Sequence, residues 1–129
     1  MSRSGYSDDG EHVALWRQAV DQATFGARGQ RFLRKLRDAF DVMPTKRLIT
    51  GYIKDVAGDV CAFGALDPDA PNYSDAEELA KYFGIARALA AEIMYVNDEF
   101  LSWQIPGETP DQRWIRMRDW VEKQISPGE

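Results

Sequence analysis

The chain has 129 residues, 44% hydrophobic and 12% aromatic, with one cysteine and a formal charge of −5. That length supports one hydrophobic core without staples, the apolar content is too high for a disordered chain, and a lone cysteine closes no internal disulfide. No apolar run approaches the roughly 20 residues of a membrane span, and the opening Met1-Ser2-Arg3-Ser4-Gly5-Tyr6 lacks an apolar secretory segment. The expectation is a soluble, cytoplasmic protein with no membrane partner.

The elements follow in chain order. Residues 1–10 are polar and read as a loose arm, and 127–129 as a tail, around a single compact domain over 11–126. From Glu11 to Phe25, Val13, Trp16, Val20 and Ala23 recur at helical steps. Gly26-Ala27-Arg28-Gly29 predicts a break. A second helix then runs from about Gln30 to Val42, with Phe32, Leu33, Leu36 and Phe40 on one side and Pro44 beyond its end. The apolar runs Leu48–Ile53 and Val60–Leu66 flank a polar, Gly-bearing connection and predict an antiparallel β-hairpin. Gly51 and Gly64 inside them imply a bulge or a closely approaching helix. Ser74-Asp75-Ala76-Glu77 matches a capping box for a helix to about Phe83, closed by Gly84. Ile85, Leu89, Ile93 and Val96 mark a helix ending near Asn97. Thr109-Pro110-Asp111-Gln112 opens the last one, with Trp114, Met117, Val121 and Ile125 on its apolar stripe. The reading is an α+β domain, mostly helical, with about five helices packed on a two- or three-stranded antiparallel hairpin.

The segments Asp59-Val60-Cys61-Ala62-Phe63-Gly64-Ala65, Phe83-Gly84-Ile85-Ala86-Arg87-Ala88-Leu89, Asn97-Asp98-Glu99 and the C-terminal Thr-Pro-x-x-Arg-Trp-x-x-Met-x-x-Trp-Val resemble a family of small uncharacterised proteins of tailed phages and prophages. The resemblance covers residues ~10–126 and brings no catalytic residues. It implies an accessory phage product acting in the host cytoplasm by binding a host or phage protein, for example as an anti-CRISPR-like inhibitor of a defence system. That step rests on genomic habit rather than physics.

Charge is unevenly spread: residues 1–47 balance at +3, 48–111 at −9 and 112–129 at +1. Such a layout steers charged partners or drives unlike faces together, so a homodimer is one expectation. The sharpest electrostatic feature is the basic set Arg28, Arg31, Arg34, Lys35 and Arg37. Arg31, Arg34 and Lys35 share a helix face, and Arg28 leads into it. Guanidinium forks suit phosphates and acidic protein surfaces alike. The plainer account is a solvated face, or one paired with the chain's own acidic middle. No aromatic interleaves this face to stack bases, which weighs against nucleic acid.

A second candidate for partner binding is the aromatic loop with Phe100, Leu101, Trp103 and Ile105, because large apolar residues are costly to leave wet. Folding back over the core is the plainer account of that loop. Cys61 reads as a buried small hydrophobe rather than a nucleophile. Asn97-Asp98 reads as a helix end, with Asn97 left-handed and Asp98 bonding amides of the next turn, rather than as a metal cluster. No catalytic constellation, metal-ligand spacing or cofactor motif is visible. The sequence thus points to a non-enzymatic, protein-binding accessory chain. The alternative is a nucleic-acid binder using the Arg28–Arg37 helix face.

Overall fold

The computed structural model describes residues 10–72, 75–98 and 107–126, with side chains from Leu15 onward. Six helices appear there in chain order: α1 (Gly10–Phe25), α2 (Ala27–Val42), α3 (Ala62–Leu66), α4 (Ala76–Phe83), α5 (Arg87–Asp98) and α6 (Pro110–Gln124). The expected 1–10 arm and 127–129 tail lie almost wholly outside the described residues.

The α+β assignment is overturned, since no strand or sheet exists among the described residues. Where a hairpin was expected, one isolated antiparallel bridge joins Lys54 and Val60. The Asp55–Asp59 turn closes it, with the Asp55 amide donating to the Asp59 carbonyl and Asp55 Oδ1 accepting from the Ala57 and Asp59 amides. The supposed second strand is helix α3 for most of its length. A seven-residue apolar run carries no period that separates strand from buried helix. After Val60 this run holds only Cys, Ala, Phe, Gly and Leu, and lacks the β-branched residues that favour a pleat.

Gly64 makes α3 fit. A Cβ there would collide with the Ile53 carbonyl oxygen and would stand 2.7 Å from the Val60 Cβ, so the incoming extended segment can lie directly against the helix. The close approach expected at this glycine is present, with the helix on its own side of the contact. Gly29 plays the same part between α1 and α2, since its Cβ would overlap the Ala23 carbonyl oxygen. The expected break after α1 is therefore only Gly26, and Arg28 and Gly29 belong to α2.

Other expectations hold. Gly84 closes α4 at φ 70°, and Thr109 and Gln112 form a reciprocal capping box on α6 with Pro at its start. The cap of α4 is Asp75, accepting the Glu78 amide at 2.9 Å. The capping box drawn from Ser74 to Glu77 is thus one residue out of register.

The core gathers Phe32, Leu33, Leu36 and Phe40 of α2 with Phe63 of α3, Leu79 of α4, Leu89 and Ile93 of α5, and Met117 and Val121 of α6. Phe32, Phe63 and Phe83 form a ring-on-ring layer with centroids 5.1–6.1 Å apart, which fixes α3 and the end of α4 against the inner face of α2. Gln30, buried at the other end, donates to the Thr24 and Gln124 carbonyls and accepts from the Ser126 amide. One side chain thereby ties the end of α1 to the end of α6.

Candidate functional site

The outer face of α2 follows from its register. With Phe32, Leu33, Leu36 and Phe40 committed to the core, a helix advancing about 100° per residue must turn Arg31, Arg34 and Lys35 outward. Arg28 sits one turn before Arg31 and two turns before Lys35, on the same side of the helix. Arg28, Arg31 and Lys35 are exposed and Arg34 is half-buried. Among the described residues none of the four has a carboxylate partner. Of the two plainer accounts, pairing with the chain's own acidic middle is absent among the described residues, and a solvated helix face agrees with the exposure of Arg28, Arg31 and Lys35.

Most of the other described arginines differ, although Arg87 too lacks a carboxylate and lies over the Trp16 ring at 5.2 Å. Arg17 pairs with Glu92, Arg37 with Asp38 and Glu122, Arg47 with Asp59, and Arg118 with Asp41 and Glu122. Arg118 holds both Asp41 oxygens, at 2.8 and 3.0 Å. That hydrogen-bonded pair keeps the Asp41 and Glu122 carboxyls below their ordinary range and raises the Arg118 guanidinium. Asp41 and Asp38 thus close the basic stretch at the C-terminal half of α2, and Val42 stands 79% exposed at its end.

At the N-terminal end a shallow hollow of about 210 Å³ lies between α1 and α2, lined by Gln22, Ala23, Gly26, Ala27, Arg28, Gly29 and Ala86. Gly26 supplies no side-chain cap to α2, and its first turn carries no acidic residue. The hollow brings together no nucleophile, base or set of metal ligands.

A second polar cluster lies on the far side of the core. Asn97, 1% exposed, accepts the Ala62 amide and donates to the Ile49 carbonyl and to Asp98. Asp98 accepts the Gly51 amide at 3.3 Å. Both residues lie within α5, so the left-handed Asn97 helix end is corrected: its side chain bridges segments far apart in sequence. Glu108 takes Arg116 through both oxygens at 2.7 and 3.0 Å and faces Arg113 Nε at 3.3 Å. Arg116 also donates to the Val96 carbonyl, and Arg113 to the Leu48 carbonyl. Burial beside Arg116 lowers the Arg113 guanidinium from its usual value, while Glu108 opposes that shift. Most donors here go to backbone carbonyls and one carboxylate, with Arg113 Nε left without a hydrogen bond, and the arrangement fastens α5, α6 and the 48–53 segment together. Sequence reasoning missed this cluster.

Cys61 is 1% exposed, at the N-cap of α3, with its amide donating to the Ile53 carbonyl. Phe100, Leu101, Trp103 and Ile105 lie outside the described residues. Among the described residues no group of three or more His, Cys, Asp or Glu is placed to hold a metal ion, and no helix is long and apolar enough to cross a membrane. No protein-family model, curated protein or solved structure matches the chain. The phage-protein resemblance therefore stands on its motif residues alone.

Proposed function

We propose that this chain is a non-enzymatic binding protein that engages an acidic protein surface through the outer face of α2. The observation that carries the reading is the clustering of Arg28, Arg31, Arg34 and Lys35 without carboxylate partners among the described residues, where the other described arginines are ion-paired apart from Arg87, which lies over the Trp16 ring. Exposed cations left without carboxylates keep their full field for an incoming partner. An acidic protein fits the face better than nucleic acid. The basic run spans only two helical turns, Asp38 and Asp41 follow it, and the exposed side chain at its end is apolar Val42. The burial of Cys61 supports a non-catalytic reading. A cytoplasmic setting, and action as a phage or prophage accessory product against a host defence system, enter this proposal from the motif resemblance only.

The test is capture of a protein from bacterial extract by the tagged chain, followed by titration of the purified partner. The expected result is saturable binding that weakens as salt rises and is lost in the R31E/K35E variant. Capture of nucleic acid in its place, or a partner indifferent to R31E/K35E, rejects the reading.

A further inference from the structure

We propose that the basic face of α2 is also matched by the chain's own acidic α3–α4 surface presented by a second copy, so that the protein associates with itself head to tail. This rests on the reading of α2 as a face for acidic protein surfaces, and names one such surface.

The two patches are equal and opposite. Residues 28–35 carry four positive charges and no negative one, while 67–81 carry five carboxylates and one lysine, a balance of −4. Among the described residues no ion pair joins the two patches within one molecule. Phe32 of α2 packs inward on Phe63 and Phe83 at about 6 Å, so α3 and the end of α4 lie behind the buried face of α2. Ala76, Leu79 and Ala80 turn α4 toward the core, which leaves Glu77, Glu78 and Tyr82 pointing to solvent. Both faces therefore point away from the shared aromatic layer, one on α2 and the other on α4.

On the acidic side Asp67 accepts the Tyr82 hydroxyl at 2.7 Å and Asp75 caps α4, which leaves Glu77 and Glu78 as its open carboxylates. Glu77 and Glu78 have no cation partner among the described residues, and Asp69 meets Lys54 only at 3.9 Å. Each face also carries an exposed apolar side chain, Val42 on one and Tyr82 on the other, to be covered in the contact. Such a contact is heterologous: the patch used on one copy is not the patch used on the next, and it leaves both outer patches open for further copies. Exposed ion pairs are individually weak and screened by salt. The self-affinity should therefore be modest, with a Kd on the order of 0.1–1 mM at low ionic strength.

Sedimentation velocity on the full chain at about 20 mM and about 500 mM salt tests this. At low salt the mass should rise with concentration above the 14.6 kDa of one chain, and at high salt it should return to that value. R31E/K35E alone and E77K/E78K alone should each remain monomeric, and mixing them should restore association because each variant keeps the native face that the other has lost. A wild-type chain that stays at one-chain mass up to millimolar concentration at low salt, or association that survives both charge reversals, overturns the inference. If that monomeric chain still binds an acidic protein through Arg31 and Lys35, the proposed function stands and only the self-contact falls.

Discussion

Asn97 Oδ1 accepts the backbone N–H of Ala62 at 3.2 Å across 35 residues of sequence, and its Nδ2 donates to the Ile49 carbonyl at 2.9 Å. The amide side chain therefore satisfies the first turn of α3 and the edge of the 48–53 segment together. Buried backbone groups of an irregular segment need such partners, because a helix or sheet ladder does not supply them. Replacing Asn97 by Ala strands the buried Ala62 amide and leaves the part-buried Ile49 carbonyl without its partner. We expect N97A to lose about 3 kcal/mol in urea denaturation, from two orphaned polar groups and a small cavity. A loss under about 0.5 kcal/mol would mean that neither bond matters to the fold.

Gly64 separates the helical from the strand account of the 60–66 run by experiment. In a strand interior, Gly→Ala is ordinarily neutral or stabilising because alanine restricts the unfolded chain. In α3 the added methyl meets the Ile53 carbonyl and Val60, and two backbone segments must part. G64A should destabilise by roughly 1–3 kcal/mol, the usual range for overpacking. Thermal melts of G64A against wild type check the sign directly.

Much of the fold was legible because amphipathic helices announce themselves. Phe32, Leu33, Leu36 and Phe40 fall on one face of α2, and Thr109 with Gln112 marks the start of α6. The hairpin was misread because Val60–Leu66 is too short and too uniformly apolar to show a period, while its alanines and Gly64 serve a buried helix equally well. The basic face was legible from the same wheel that placed the α2 core. Its lack of internal partners was not, since pairing depends on which distant carboxylates the tertiary fold brings near. The Glu108 cluster left one usable signal. Arg113 stands four residues before Met117 and eight before Val121, on the stripe that is buried, so its charge required an inward partner.

Arg118 links stability to pH. Its hydrogen bonds hold the folded Asp41 and Glu122 carboxyls below their ordinary values of 3.8 and 4.5. A depressed folded pKa gives stability that is present above the unfolded value and lost as pH falls through the folded one. The advantage of wild type over R118Q should thus be constant from neutral pH down to the ordinary carboxylate range. It should then shrink in the acid range below 3.8. Because both carboxylates are exposed, the effect should be small and should also decline with added salt. Urea midpoints of the two proteins across that pH range provide the check, and a gap that widens toward acid would contradict the assignment.

Glu108 and Asp119 offer a matched comparison of ion pairs within one helical region. The Glu108 carboxylate is 11% exposed and neutralises Arg113 and Arg116, which are 14% and 16% exposed. Asp119 meets Lys123 in an open i,i+4 pair, with both side chains more than half exposed. Removing the Glu108 charge leaves two half-desolvated guanidiniums facing each other. The attraction between ions at this depth mainly offsets the cost of having buried them. E108Q should therefore cost about 2 kcal/mol, and D119N less than about 0.5 kcal/mol. If E108Q were as mild as D119N in guanidinium-free denaturation by urea, solvent would have to reach both arginines, and their part in fastening α6 to Val96 and Leu48 would have to be abandoned. An E108Q/R113M double variant sharpens the point. Taking out one cation with the carboxylate should recover part of the loss, since the destabilisation comes from the unpaired charge rather than from the missing bond.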